Sequence, residues 1–193
     1  MDQSTLLFWR EFLRHPTQIG ALVPTSEGLV QAMLQGAQVS QAQVIVEFGA
    51  GTGSFTKEIV KAKAPDSRFL AIELNPHLAQ TLQSQLPQID VCCESAANLP
   101  QLLQERNLKQ VDTIISTLPW SAFDDQLQSQ LLAPACKSLA PGGRFATVAY
   151  LSGLLLPGAR RFARKLKECF RHVYRAPLIW NNLPPAFFYI CTK

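Results

Sequence analysis

Apolar residues along this chain follow two rhythms, and the switching between them predicts the fold. Runs rich in β-branched, aliphatic and aromatic residues at 44–48, 68–73, 89–93, 111–116 and 144–150 read as strands, the first of them with the make-up of a central parallel strand. Between them the apolar positions fall at helical spacing. Helices are expected over about 54–63, from Asn75-Pro76 with Leu78, Leu82 and Leu86 inside, over about 99–106 and over about 125–139. Ahead of the first strand, Leu29, Val30, Met33 and Leu34 form the inner side of a helix that starts at Thr25 or Ser26 and stops at Gly36, with Glu27 placed to favour its dipole. After the fifth strand come a loop over 151–158, a basic helix over about 159–169, and strand-like runs at 171–180 and 186–191. Pro141-Gly142-Gly143 reads as a tight turn, and Thr117-Leu118-Pro119-Trp120 as a rigid turn at a strand's carboxyl end. Strands alternating with helices predict an α/β, doubly wound, mostly parallel sheet, and 193 residues suit one domain.

One segment stands outside this alternation. Residues 4–14 place Leu6, Trp9 and Leu13 on one face, Phe8 and Phe12 beside it, and Arg10 and Arg14 at its flanks. Such a helix either lies in a membrane interface or packs its apolar face on the body of the protein. Pro16, Gly20 and Pro24 make the stretch that follows a loop or turn.

Composition narrows the setting. A hydrophobic content of 47% with 17% charged residues belongs to globular proteins at the apolar end of their range. No window holds about 18 uninterrupted apolar residues, and no secretory leader is recognisable at the start. Cys92, Cys93, Cys136, Cys169 and Cys191 lack C-x-x-C spacing and suit buried free thiols in a reducing cytoplasm. His15, His77 and His172 are scattered and show no metal-ligand spacing. The formal charge of +4 is unevenly spread: Arg160, Arg161, Arg164, Lys165, Lys167, Arg171 and Arg175 are opposed only by Glu168. That field suits anionic lipid or nucleic acid, or else it is a solvated helix face.

Candidate chemistry centres on the first strand and the glycines after it, Glu47-x-Gly49-x-Gly51-x-Gly53. Glycines there permit positive φ and let a ligand lie against bare backbone, and Ser54 or Thr52 is placed to cap the next helix. A dinucleotide fold wants G-x-G-x-x-G and a pyrophosphate at the helix start. Here an acid faces the loop from its strand side, which suits a ligand bearing an ammonium and a ribose but no phosphate. Glu73, roughly 20 residues beyond, ends the second strand where a carboxylate takes both ribose hydroxyls. The pattern looks like motif I of the class I S-adenosylmethionine-dependent methyltransferases; an ordinary strand–turn–helix of another α/β protein is the alternative.

Further pieces occur in one order: Gly20-Ala21-Leu22-Val23-Pro24-Thr25-Ser26, motif I, Glu73, Ser116-Thr117-Leu118-Pro119-Trp120, Pro141-Gly142-Gly143 with Tyr150, and Asn182-Leu183-Pro184-Pro185-Ala186. Together they resemble the bacterial phospholipid N-methyltransferases, relatives of the ribosomal RNA adenine dimethylases. The resemblance implies a single Rossmann-like methyltransferase domain over 1–193, seven-stranded with its last strand antiparallel. Residues 1–40 would form an N-terminal helical cap and membrane-binding segment. It implies transfer of methyl groups from S-adenosylmethionine to the amine of phosphatidylethanolamine or its methylated forms. The enzyme would be cytoplasmic, peripherally attached to the anionic cytoplasmic membrane through residues 4–14 and Arg160–Arg175, monomeric in solution and without a nucleic-acid partner. The cofactor residues by that resemblance are Glu47, Gly49, Ala50, Gly51, Gly53, Glu73, Leu74, Ser95, Ala96, Ser116, Thr25 and Ser26. Where the family usually has Gly-Asp-Ala this chain has Glu94-Ser95-Ala96, so Ser95 would accept the adenine amino bond. Where the adenine dimethylases have Asn, this chain has Thr117, which argues against adenine methylation.

The acceptor chemistry needs a neutral nitrogen aligned behind the methyl group, and a lipid ammonium titrates high, near a lysine's ~10. Tyr150, at the end of the fifth strand, is the first candidate to contact the amine. Thr117, Trp120 and Asn182 would line the same mouth, with the Trp120 ring facing the cation. A methyltransferase for RNA or a soluble small molecule, and a non-catalytic binding module of the same fold, are the competing readings.

Overall fold

The computed structural model describes residues 25–193; the helix expected over 4–14 and the loop after it lie outside the described residues. The middle layer is a seven-stranded sheet in the order β3-β2-β1-β4-β5-β7-β6. The strands are β1 Val44–Phe48, β2 Arg68–Glu73, β3 Asp90–Cys93, β4 Val111–Ser116, β5 Leu139–Tyr150, β6 His172–Arg175 and β7 Ala186–Thr192. The pairs among β1 to β5 are all parallel, whereas β7 runs antiparallel to both β5 and β6. The expected sheet, including its antiparallel last strand, is therefore present. The helices are α1 Glu27–Gly36, α2 Ser54–Ala62, α3 Pro76–Gln85, α4 Leu99–Glu105, α5 Asp125–Ser138 and α6 Pro157–Cys169.

The period of two in β1 divides the core. Ile45 turns to the face covered by α1, α2 and α3, among Leu29, Met33, Ile59 and Leu82. Val46 and Phe48 turn to the other, among Leu99, Leu131, Phe162 and Leu166 of α4, α5 and α6. Glu47 falls on the first face, and the chain buries a carboxylate there at no exposure at all. α1 is a core element: Leu29, Val30, Met33 and Leu34 are all buried.

Three expectations change in detail. Pro141-Gly142-Gly143 does turn, at a positive φ of 76° for Gly142. But it does so as a bulge inside β5, whose register with β4 jumps from Val111↔Leu139 to Thr113↔Arg144. The run 171–180 forms a strand only to Arg175; Pro177 has no N–H to extend the ladder, and Ile179 makes a lone bridge to Ala186. The cysteines are free, but only Cys191 is buried, and Cys93 and Cys169 are exposed.

Candidate active site

The strand order reverses between β1 and β4, which opens a crevice at the carboxyl ends of the parallel strands. The glycine loop lies in it. Gly49, Gly51 and Gly53 take φ values of +78°, +56° and +84°. A Cβ on Gly49 would come within 2.8 Å of Leu118, and one on Gly53 within 2.6 Å of Leu82, so the loop is pressed between the turn after β4 and α3. The Gly49 and Ala50 amides donate to the Ile72 carbonyl at 2.8 and 3.3 Å, which hangs the loop from β2. Neither Ser54 nor Thr52 caps α2 as the sequence suggested. Left-handed Gly53 takes the cap position itself, with no side-chain bond to the first turn.

Two carboxylates frame this loop. Glu73 Oε2 accepts the Gly51 N–H and Oε1 accepts the Asn75 N–H, each at 2.8 Å. It thereby fixes both the loop and the start of α3, while a carboxylate's remaining lone pairs stay open to a ribose. Asn75 completes the corner by capping α3, its Oδ1 accepting from the His77 and Leu78 amides. Glu47 is wholly buried; its Oε2 accepts the Thr56 hydroxyl at 2.7 Å, and Oε1 has no partner among the described residues. Loss of hydration pushes its pKa up to about 8, with the Thr56 bond opposing and Glu73 adding to the rise.

After β3, Ser95 caps its own short turn, Oγ accepting the Ala97 amide at 3.3 Å. Glu94 folds back to accept the Ser95 amide at 2.7 Å. Negative charge is thus present at this corner, carried by Glu94 rather than by residue 95. Ala96 is buried, and Leu74 packs half-buried against the same core.

The turn after β4 differs from expectation. Trp120 is 3% exposed and stacks on Phe162 at 4.5 Å, with Phe123 and Phe145 against its edges. Its indole N–H donates to Ser116 Oγ at 3.0 Å. Trp120 therefore lies in the core and does not line the mouth or face a cation, and the Ser116 hydroxyl accepts its N–H. A ring of that size gains most by full burial provided its N–H finds a partner, and Ser116 supplies it. Thr117 donates to the Gly49 carbonyl at 2.5 Å, so its hydroxyl clasps the glycine loop to β4. One residue with no signal in the sequence is Gln128, which shares α5 with other glutamines. It is fully buried, and its amide donates to the carbonyls of Trp120 and Gly158 at 2.7 and 2.9 Å, binding the turn to the start of α6.

Tyr150, Thr25, Ser26 and Asn182 come together at the neighbouring strand ends. The hydroxyls of Tyr150 and Thr25 share a bond of 3.1 Å. Asn182 Oδ1 accepts the Ser26 amide at 2.7 Å, and its Nδ2 donates to the Pro184 carbonyl at 2.7 Å. At 1% exposure Asn182 is a clamp, not a lining residue, because both ends of its amide are spent inside the protein. Thr25 and Ser26, read as cofactor residues, make their described bonds to Tyr150 and Asn182. Of the four acceptor-side candidates, Trp120 and Asn182 are buried and Tyr150 and Thr117 half-buried; the Thr117 hydroxyl is spent on the Gly49 carbonyl, which leaves Tyr150 as the candidate at the mouth.

The basic cluster is divided. Arg161 donates to the Phe123 carbonyl at 3.3 Å, Lys165 pairs with Asp125 at 3.1 Å, and Arg175 lies over the Phe187 ring at 4.2 Å. Arg160, Arg164, Lys167 and Arg171 are exposed.

Comparison with known proteins agrees with this geometry. Residues 45–143 match the methyltransferase-domain family. An ornithine lipid N-methyltransferase from Singulisphaera acidiphila is 32% identical over 188 residues, covering 96% of this chain and 94% of that protein. A ribosomal RNA small subunit methyltransferase A from Thermotoga maritima is 25% identical over 112 residues, 56% of this chain and 37% of that one. Among solved structures, an O-methyltransferase from Bacillus cereus in complex with SAH superposes with a TM-score of 0.71 at 16% identity, covering 100% of this chain and 92% of that one. At that identity the likeness is one of fold.

Proposed function

Because the chain belongs to the methyltransferase-domain family, in its bacterial lipid N-methyltransferase-like branch, we propose that it methylates the amine of a membrane lipid headgroup. It is an S-adenosylmethionine-dependent methyltransferase. The observation that carries the lipid acceptor is the likeness to the ornithine lipid enzyme, which spans nearly the whole chain and so includes both ends as well as the cofactor half. Phosphatidylethanolamine and an amino-acid lipid both present a primary amine beside an anionic group, and the reading covers both.

The residues present fit the cofactor. A buried carboxylate with one oxygen unpartnered among the described residues, Glu47, stands beside a bare glycine backbone and would take the cofactor's ammonium. Glu73 would hold the ribose, and Glu94 with Ser95 the adenine edge. When bound, S-adenosylmethionine supplies an electrophilic methyl group. The rest falls to the chain: Tyr150, held by Thr25, would orient the neutral acceptor amine by accepting a hydrogen bond from it through its phenol oxygen. Thr117 keeps the glycine loop in register with that mouth. We place the enzyme as a monomer on the cytoplasmic face of the membrane, held peripherally by residues 4–14 and by the exposed arginines of α6. Thr117, standing where adenine dimethylases carry Asn, speaks against a nucleic-acid acceptor.

The test is mass spectrometry of lipid after incubating the purified protein with methyl-deuterated S-adenosylmethionine and vesicles. One set holds phosphatidylethanolamine and another holds ornithine lipid. Labelled headgroup in at least one set is expected. Label in neither, from protein that binds S-adenosylhomocysteine, overturns the proposal.

A further inference from the structure

Large apolar side chains exposed on this protein are not scattered. Among the described residues they are Leu151, Leu155, Leu156, Tyr174, Trp180 and Leu183, and all but Tyr174 sit in two loops. Leu155 is 90% exposed, Leu183 77% and Trp180 70%. The loops are neighbours. Leu151 donates its amide to the Pro185 carbonyl at 2.8 Å, Tyr150 pairs with Ala186, and Ile179 bridges the same Ala186. Both therefore leave the sheet at the carboxyl end of β5, beside the bonds that join Tyr150 to Thr25 and Asn182 to Ser26. The apolar tips flank the acceptor mouth.

Along their own stretches of chain the charge has one sign. No Asp or Glu occurs in 150–167 or in 176–187, whereas α6 begins at this edge and presents Arg160 and Arg164 in its first two turns. Glu168, which pairs with Arg164 at 3.6 Å, lies at the far end of the helix, and the nearby Asp125 is taken by Lys165. Lys167, Arg171 and Arg175 are farther along α6 and β6, so the basic run is not one patch; its forward part accompanies the leucines. Leucine and tryptophan at loop tips with arginine behind them match the layering of a bilayer surface, acyl chains first and anionic headgroups next.

We propose that the turn 151–156 and the loop 180–183 form a wedge that inserts into an anionic bilayer, so that the acceptor mouth opens against the membrane. This is a contact separate from residues 4–14, and its purpose rests on the lipid-acceptor reading. An amine headgroup would then reach Tyr150 while its acyl chains stay in the bilayer.

Trp180 is the built-in probe. In full-length Trp9→Phe protein the remaining tryptophans are Trp180 and the buried Trp120. Vesicles of brominated phosphatidylcholine with phosphatidylglycerol should quench and blue-shift the Trp180 emission. The response should be weaker without phosphatidylglycerol, and absent when Trp180→Phe is added. Leu155→Asp and Leu183→Asp should each weaken vesicle partitioning by about tenfold, the scale of burying one leucine. Vesicle binding without quenching, or no binding, overturns the wedge. So does emission already blue-shifted without vesicles: if independent of protein concentration, the chain's own N-terminal segment covers the loops, and if concentration-dependent, a second copy does. Methylated lipid with unquenched Trp180 removes the wedge and leaves the acceptor reading; quenching without methylated lipid does the reverse.

Discussion

The Asn182 side chain accepts the Ser26 amide at 2.7 Å across 156 positions of chain. That bond joins the loop before β7 to the residue that opens α1, and the Tyr150–Thr25 bond lies beside it. The acceptor mouth is thus assembled from the two ends of the molecule.

Asn182→Ala leaves a Ser26 N–H and a Pro184 C=O unpaired in a partly buried place. A loss of about 1–3 kcal/mol follows, or several degrees of melting temperature for a chain of this size. Turnover should fall further than stability explains, while affinity for S-adenosylhomocysteine changes less than threefold or so. Calorimetric titration beside a lipid methylation assay separates the two. Unchanged turnover per folded molecule would mean that the clamp has no bearing on the acceptor.

Tyr150 and Thr25 share one bond, so their variants separate contact from tether. Tyr150→Phe removes a hydroxyl that would touch the amine, and kcat should drop by about 10²-fold or more. Thr25→Val removes the tether and leaves the phenol in place, so its kcat should fall by less than about tenfold. Equal losses in the two would reduce Tyr150 to a support for the N-terminal segment.

The fold was legible because its signal is repeated. β1, β2 and β4 begin and end where their apolar runs do, and the glycine loop with Glu73 marks the cofactor crevice without help from the rest of the chain. The acceptor side was less legible, because the direction of a side chain is decided by packing from distant segments. Trp120 follows a strand end, where a ligand contact is a fair inference. Its fate was set by Phe162, 42 positions later, and by Ser116, whose hydroxyl satisfies the indole. Asn182 beside prolines carries no local hint of Ser26. Gln128 sits in a helix with other glutamines, and only the carbonyls of Trp120 and Gly158 distinguish it.

Trp120→Phe tests the reassignment of that ring. The substitution keeps an aromatic in the stack with Phe162 and deletes the N–H that Ser116 receives, leaving a small gap and a buried hydroxyl with one partner fewer. A stability loss of about 1–3 kcal/mol is expected, read by urea unfolding, with the KM for the lipid acceptor unchanged within about twofold. A large rise in KM at unchanged stability would return Trp120 to the acceptor mouth.

Glu47 gives the enzyme a pH signature. Burial, reinforced by Glu73, holds its proton up to about pH 8, against an ordinary value of 4.5. Between those values the folded chain binds a proton that the unfolded chain has released. The stabilising contribution is complete below 4.5, declines as pH rises by up to about 1.4 kcal/mol per unit, and is gone above 8. Glu47→Gln keeps the shape and the Thr56 acceptor but cannot ionise. Its melting temperature should therefore match the parent near pH 4.5 and exceed it increasingly toward pH 8. Ligand binding reverses the advantage. An ammonium beside Glu47 Oε1 favours the carboxylate, so binding S-adenosylhomocysteine near pH 7 should release a proton, and affinity should rise with pH up to about 8. Calorimetry in two buffers of different ionisation enthalpy measures that release directly. The parent should show it and Glu47→Gln should not; equal heats in both buffers for the parent would mean that Glu47 does not meet the ammonium.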